Sequence, residues 1–274
     1  MIRTLWYLII YLLGSTCSYR LSMSLEGKTS FLRDKDQAVY LNNILRRSID
    51  ATKIAIKDNC QLMEIEFLPN RKNDLSVTET LDTTRDYCYE YLKAFKEYGQ
   101  DLWIAFPDSN ELQLARKVWG ENNFFTMTSI EGAIRRKDSE APPKLLIAIS
   151  PGFNIDEWIE LAKWDTTKVP LIVINGNLDR LRQGYYPSIF YPGLTKVSKS
   201  FYSKFSQVFF LQPVSISGDR YAGYTARVYP KQWEILLKSD SNYEVIKSSE
   251  QQEKAKVVFD LLSKQYKEKY NKLF

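Results

Sequence analysis

Histidine is absent from all 274 residues of this chain. That removes the commonest general base and the commonest transition-metal ligand together. A Ser-His-Asp triad, a Cys-His pair and any zinc site with an imidazole ligand are excluded. Catalysis would have to run on carboxylates, Lys, Tyr, Arg or Cys. Cysteine is scarce as well: Cys17, Cys60 and Cys88 show no C-x-x-C spacing, which excludes a zinc knuckle and a thioredoxin-type motif. Cys60 and Cys88 read as buried free thiols rather than a pair. No Gly-x-Gly occurs, so the dinucleotide fingerprint is missing. Gly27-Lys28-Thr29 imitates the end of a P-loop, but Ser22 stands where the first glycine is required and no strand pattern precedes it. There is no Asn-x-Ser/Thr acceptor site; the apolar run in the first residues is too short for a comfortable membrane anchor, and no other segment could cross a bilayer.

What is present is ordinary globular material, 44% hydrophobic and 26% charged, enough to bury a sizeable core. Lysine and arginine total 38 against 33 acids, a net charge of +5, with the two signs interleaved along the chain. A nucleic-acid binder concentrates its excess in a patch or stripe, so no nucleic-acid partner is assigned.

The first 18 residues read as a signal-like leader. Arg3 precedes an apolar run from Leu5 to Leu13, and small residues follow as a cleavage zone. Residues 19–35 are transit-like, basic and rich in Ser and Thr, with Glu26 as the only acid from Tyr19 to Arg33. A bipartite leader of this kind directs a protein into a complex plastid, and plain secretion is the alternative. Residues 36–274 read as a single α/β domain.

Within that domain helical and strand patterns alternate. Val39, Ile44, Leu45, Ile49, Thr52 and Ile56 form one helical face. Leu62–Leu68 alternates, with Met63, Ile65 and Phe67 opposite Glu64 and Glu66. The paired glutamates read as the solvated face of an edge strand. Gly99 caps a second helix, strand Leu102–Phe106 follows, and Asp108 with Glu111 has capping-box spacing. Leu145–Ile149 and Leu171–Ile174 are all-apolar runs suited to parallel strands covered on both faces. Helices are expected over Asp156–Lys163 and Thr195–Phe205, and a strand over Val208–Leu211. Tyr224–Tyr229, Trp233–Lys238 and Tyr243–Lys247 then read as antiparallel strands around turns at Pro230 and Asp240. The hairpin Arg227-Val228-Tyr229-Pro230 with Trp233 reads as aromatic packing. A basic amphipathic helix carrying Val258, Leu261, Leu262 and Tyr266 closes the chain; docking on the sheet is the favoured reading, peripheral association with a membrane the alternative. The predicted architecture is a three-layer, Rossmann-like α/β sandwich with a mainly parallel sheet and C-terminal antiparallel strands.

Ligands of open α/β sheets gather at the carboxyl ends of strands. The segment after Leu171–Ile174 is therefore the candidate binding site: Asn175, Asn177, Asp179, Arg180, Arg182, Tyr185 and Tyr186. Arg180 and Arg182 can clamp a phosphate or an acidic surface, and Tyr and Arg are enriched in interface hot spots. The competing reading is an ordered loop whose Asn and Asp bond its own backbone. No catalytic residue, metal ligand or cofactor is assigned, and the balance favours binding over catalysis.

The strings NGNLDRLRQGYYPSIFYP (Asn175–Pro192), FYSKF, VFFLQPVS and GYTARVYPKQWEILL (Gly223–Leu237) resemble a plastid and cyanobacterial family of unknown-function domains. EIEFLPN (Glu64–Asn70) and DLWIAFPD (Asp101–Asp108) fit the same pattern, so the resemblance spans most of residues 37–247. Low-photosystem-II-accumulation assembly factors belong to that family. The resemblance implies a protein of the plastid stroma or thylakoid surface that contacts photosystem II core subunits or the thylakoid insertase. It supplies no catalytic residues. A related domain is fused to an adenylate kinase in some plants, so a binder or enzyme for a nucleotide or phosphorylated small molecule is the alternative function.

Overall fold

A computed structural model of the chain describes Leu32 and residues 37–69, 77–121, 123–137, 142–152, 154–216, 219–240 and 242–270. Apart from Leu32, the signal-like and transit-like segments lie outside the described residues, as do Gly27-Lys28-Thr29 and most of the turn after Pro69. Among the described residues, nine strands form one sheet in the order β3-β2-β4-β5-β1-β6-β7-β8-β9. β1 (Leu62–Phe67), β2 (Leu102–Phe106), β3 (Thr126–Ser129), β4 (Leu145–Ile149), β5 (Leu171–Ile174) and β6 (Ser206–Ile216) are parallel. β7 (Asp219–Val228), β8 (Trp233–Lys238) and β9 (Tyr243–Ser249) extend the sheet antiparallel from β6.

Helices α1 (Gln37–Lys57), α2 (Val77–Leu92) and α3 (Ser109–Trp119) cover one face. On the other lie α4 (Ile130–Arg136), α5 (Ile155–Leu161), α6 (Leu178–Arg182), α7 (Pro192–Ser200) and the closing helix α8 (Ala255–Tyr270). The expected three-layer α/β architecture is thus present, antiparallel extension included. β4 and β5 are buried along their whole length, because a parallel strand with helices above and below has no wet face. Local capping fixes several helix starts: Asp108 accepts from the backbone N–H of Asn110 and Glu111 at 2.8 and 2.9 Å, Ser129 from Gly132 at 3.1 Å, and Asn154 from Asp156 at 3.1 Å.

Two expectations are corrected, and two elements were not foreseen. The buried residues of α1 are Tyr40, Ile44, Arg47, Ser48, Ala51, Thr52 and Ala55, whereas Val39 is 38% exposed. Ile44 and Thr52 are among them as expected, Thr52 bonding the buried Tyr91 hydroxyl; apolarity misjudges the rest because Ser48 points inward and shares a hydrogen bond with the buried Tyr87 hydroxyl. β3 and α4 were not among the expected elements; the strand is only Thr126-Met127-Thr128-Ser129 and half-buried at the sheet edge. Most consequential, β1 is a central strand between β5 and β6, so its glutamate face is not solvated: Glu64 is 0% and Glu66 4% exposed.

The expectations for the closing helix and the Trp233 hairpin stand. Helix α8 lies on the sheet through buried Val258 and Leu262, which share a cluster with Ile235 and Leu237. Trp233 packs on Phe210 with ring centroids 5.0 Å apart, and the Arg227 guanidinium lies 5.8 Å from the Trp233 ring.

Candidate functional site

β5 ends where two left-handed residues, Asn175 at φ +52° and Asn177 at φ +51°, turn the chain into α6. Asparagine tolerates this conformation because its short amide can bond locally. Asn175 is buried and bonds over long range: its Oδ1 accepts from the Phe67 N–H at 3.0 Å and its Nδ2 donates to Thr84 Oγ1 at 3.2 Å. It therefore ties β5 to β1 and α2. Between the two asparagines, the Gly176 carbonyl accepts from Trp158 Nε1 at 3.1 Å, and a Cβ at Gly176 would stand 2.4 Å from Val173 Cγ1.

The turn sets α6 directly over the buried glutamates. Arg182 grips Glu64 at two points, Nη1 to Oε2 at 2.8 Å and Nη2 to Oε1 at 3.0 Å. Asp179 holds the other side of the same guanidinium, and Gln252 donates to Asp179 Oδ2 at 2.8 Å. Glu66 accepts from the Asn177 N–H at 3.0 Å and from Gln212 Nε2 at 3.2 Å. Burial works against the charged guanidinium, but Glu64 and Asp179 outweigh it and hold Arg182 protonated above its ordinary value. Burial pushes the Glu64 carboxyl up, against the opposing pull of Arg182. Burial likewise pushes Glu66 well above the ordinary carboxylate value; the Glu64 charge adds to this, and the Asn177 N–H only partly offsets it.

Two depressions meet on Glu66, Asn177, Arg180 and Gln212. One, of about 580 Å³, runs between α6 and α8 and takes Phe210, Val214, Thr225, Gln252 and Phe259 into its walls. The second, of about 490 Å³, lies over the strand ends beside Phe67, Pro69, Ser150, Gly152 and Tyr186. They make one groove crossing the carboxyl ends of β1 and β5, with mixed apolar and polar walls, carboxamides and a single buried carboxyl at the junction.

The seven residues expected at the site divide into three groups. Asn177 and Arg180 line the groove with exposed side chains, and Asp179 lines it while bonded to Arg182 and Gln252. Asn175 lines the second depression with its amide already bonded to Phe67 and Thr84, and Arg182 is committed to Glu64 and Asp179, which corrects the idea of a two-arginine clamp and leaves Arg180 alone. Tyr186 is half-buried, its ring edge-on to Trp158 at 5.7 Å, whereas Tyr185 is 69% exposed with Arg180 Cζ 5.9 Å from its ring.

Sequence reasoning missed Glu64 and Glu66 as site residues, together with Gln212, Gln252, Phe210 and Phe259. The available signal was charge complementarity: two acids in an otherwise apolar strand require a buried cation, and α6 supplies one. Among the described residues no cluster of His, Cys, Asp or Glu is arranged to hold a metal ion. Cys60 and Cys88 are free thiols; Cys88 is buried while Cys60 is only partly so, and burial raises the Cys88 thiol well above its ordinary value, which disfavours the nucleophilic thiolate.

No curated protein and no solved structure matches the chain. A family model does match, over residues 40–258, which takes in every strand of the sheet, the glutamate pair and α6. With well over half its length inside that match, the chain belongs to the family defined by a domain of unknown function, DUF1995.

Proposed function

We propose that this chain is a non-catalytic binding factor that seats a segment of another polypeptide in the groove over Glu66, Asn177, Arg180 and Gln212. The observation that carries this reading is the joining of the two depressions on those four residues. Carboxamides from Asn177, Gln212, Gln183 and Gln252 offer the paired donors and acceptors that a peptide backbone uses, and Phe210 and Phe259 offer apolar contact. In its finer form the proposal follows the family resemblance. The chain acts in the plastid stroma or at the thylakoid surface, reached through its bipartite leader, and its partners are photosystem II core subunits or the insertase.

Capture from thylakoid extracts tests it. Wild-type protein is expected to retain a photosystem II or insertase component, and a groove-filling Gln212→Trp variant to lose it. Recovery of neither component by the wild type would sink the reading. The alternative, a nucleotide or sugar phosphate held by Arg180, would instead give thermal stabilisation by that ligand that vanishes in Arg180→Ala.

A further inference from the structure

The interleaving of charge along the chain has one long interruption. Residues 180–218 hold Arg180, Arg182, Lys196, Lys199 and Lys204 and no acid at all. Arg182 is neutralised by Glu64 and Asp179, while the other four side chains are exposed. Among the described residues Lys196, Lys199 and Lys204 make no ion pair.

The same segment carries the most exposed large apolar side chains of the described surface. Ile189 is 82% exposed and Phe190 75%, beside Tyr185 at 69%. Their loop is built rather than slack. Pro187 O accepts from the N–H groups of Phe190 and Tyr191, both at 3.1 Å, and Tyr186 stacks edge-on between Tyr185 and Tyr191 at 5.1 and 5.4 Å. Proline brackets it at 187 and 192. A recess of about 340 Å³ at its base is lined by Ser188, Thr195, Ser198 and Lys199 and by no carboxylate.

We propose that the Tyr185–Tyr191 loop docks on a lipid bilayer carrying anionic headgroups, with Ile189 and Phe190 entering the acyl boundary. The layering supports this occupant: an apolar tip, a tyrosine collar and a lysine flank follow the order of hydrocarbon, interface and headgroup. Helix α8, the other basic amphipathic element, does not compete, because Val258 and Leu262 are already buried on the sheet. This surface adjoins the groove at Tyr186, which lines both, but its exposed tip at Ile189 and Phe190 does not depend on the groove's occupant.

Vesicle co-sedimentation of the full chain tests it, using phosphatidylcholine alone and with phosphatidylglycerol. The leader is common to every variant, so differences between variants report on the loop. Wild type is expected to prefer the anionic vesicles, and Ile189→Ser/Phe190→Ser to bind them at least about tenfold more weakly. Lys196→Gln and Lys199→Gln are each expected to cost about fivefold on anionic vesicles. All four side chains are exposed, so circular dichroism should show unchanged folding. Unaltered vesicle binding by the Ile189/Phe190 variant overturns the proposal. So does a concentration-dependent dimer, seen by light scattering, that disappears in that variant while vesicle binding persists.

Discussion

At the scale of single residues the decisive group is the Glu64–Arg182 pair, buried in a strand that otherwise belongs to the core. Breaking such a pair leaves an uncompensated charge, so Arg182→Met is expected to destabilise by about 3–5 kcal/mol. The double variant Glu64→Leu/Arg182→Met should recover much of that loss, and urea midpoints of both variants check it. A double variant no more stable than the single one would mean that the pair is not what holds α6 in place. Glu66 supplies a pH signature. Its carboxyl binds a proton more tightly folded than unfolded, so the native state carries the extra proton between the unfolded value, near 4.5, and its raised folded value. Its contribution to stability is therefore fully present below about pH 4.5 and is lost as pH climbs through that window. Glu66→Gln should abolish this component: its stability relative to wild type rises with pH across the window. Denaturation midpoints of both proteins at pH 5 and pH 8 read the difference directly.

At the scale of elements, α8 seals the antiparallel end of the sheet over a glycine. A Cβ at Gly223 would stand 2.3 Å from the Leu236 carbonyl oxygen and 2.7 Å from Leu262 Cδ2, so the helix sits where only a bare backbone leaves room. Gly223→Ala is expected to cost about 1–3 kcal/mol by overpacking and to loosen α8. Faster proteolytic cleavage in residues 250–255, with a lowered Tm, is the corresponding readout. Elements also show how far the sequence could be read. β4 and β5 were legible to the residue, because an all-apolar run permits little except a covered parallel strand. Asp108 declared the start of α3 through its own side chain. By contrast, the glutamates of β1 were legible as alternation but not as burial. Alternation records which residues share a face, whereas the position of a strand in its sheet depends on partners more than a hundred residues away. The same gap explains the site. Asn175–Tyr186 was found by the strand-end rule, yet the roles within it depended on Glu64 and Glu66, which local pattern had placed in solvent.

At the scale of the whole molecule, the cluster beneath α1–α3 runs without interruption from Leu102 to Tyr243, joining parallel and antiparallel halves. Unfolding is therefore expected as one transition. Far-UV circular dichroism and tryptophan fluorescence should give coincident thermal curves, and two separated steps would show that β7–β9 are an independent unit. The central placement of β1 has a consequence for how the chain assembles during synthesis. β2, β3 and β4 pair among themselves within residues 102–149, whereas the only strands β1 pairs with are β5 and β6, whose residues emerge from the ribosome more than 100 positions after its own. Glu64 must stay hydrated until α6 arrives with the guanidinium that lets it be enclosed, and Glu66 until Asn177 and Gln212 arrive to donate to it. The strand made first is thus seated late, and pulse-labelled hydrogen exchange during refolding should find the amides of Leu62–Phe67 protected after those of β2 and β4.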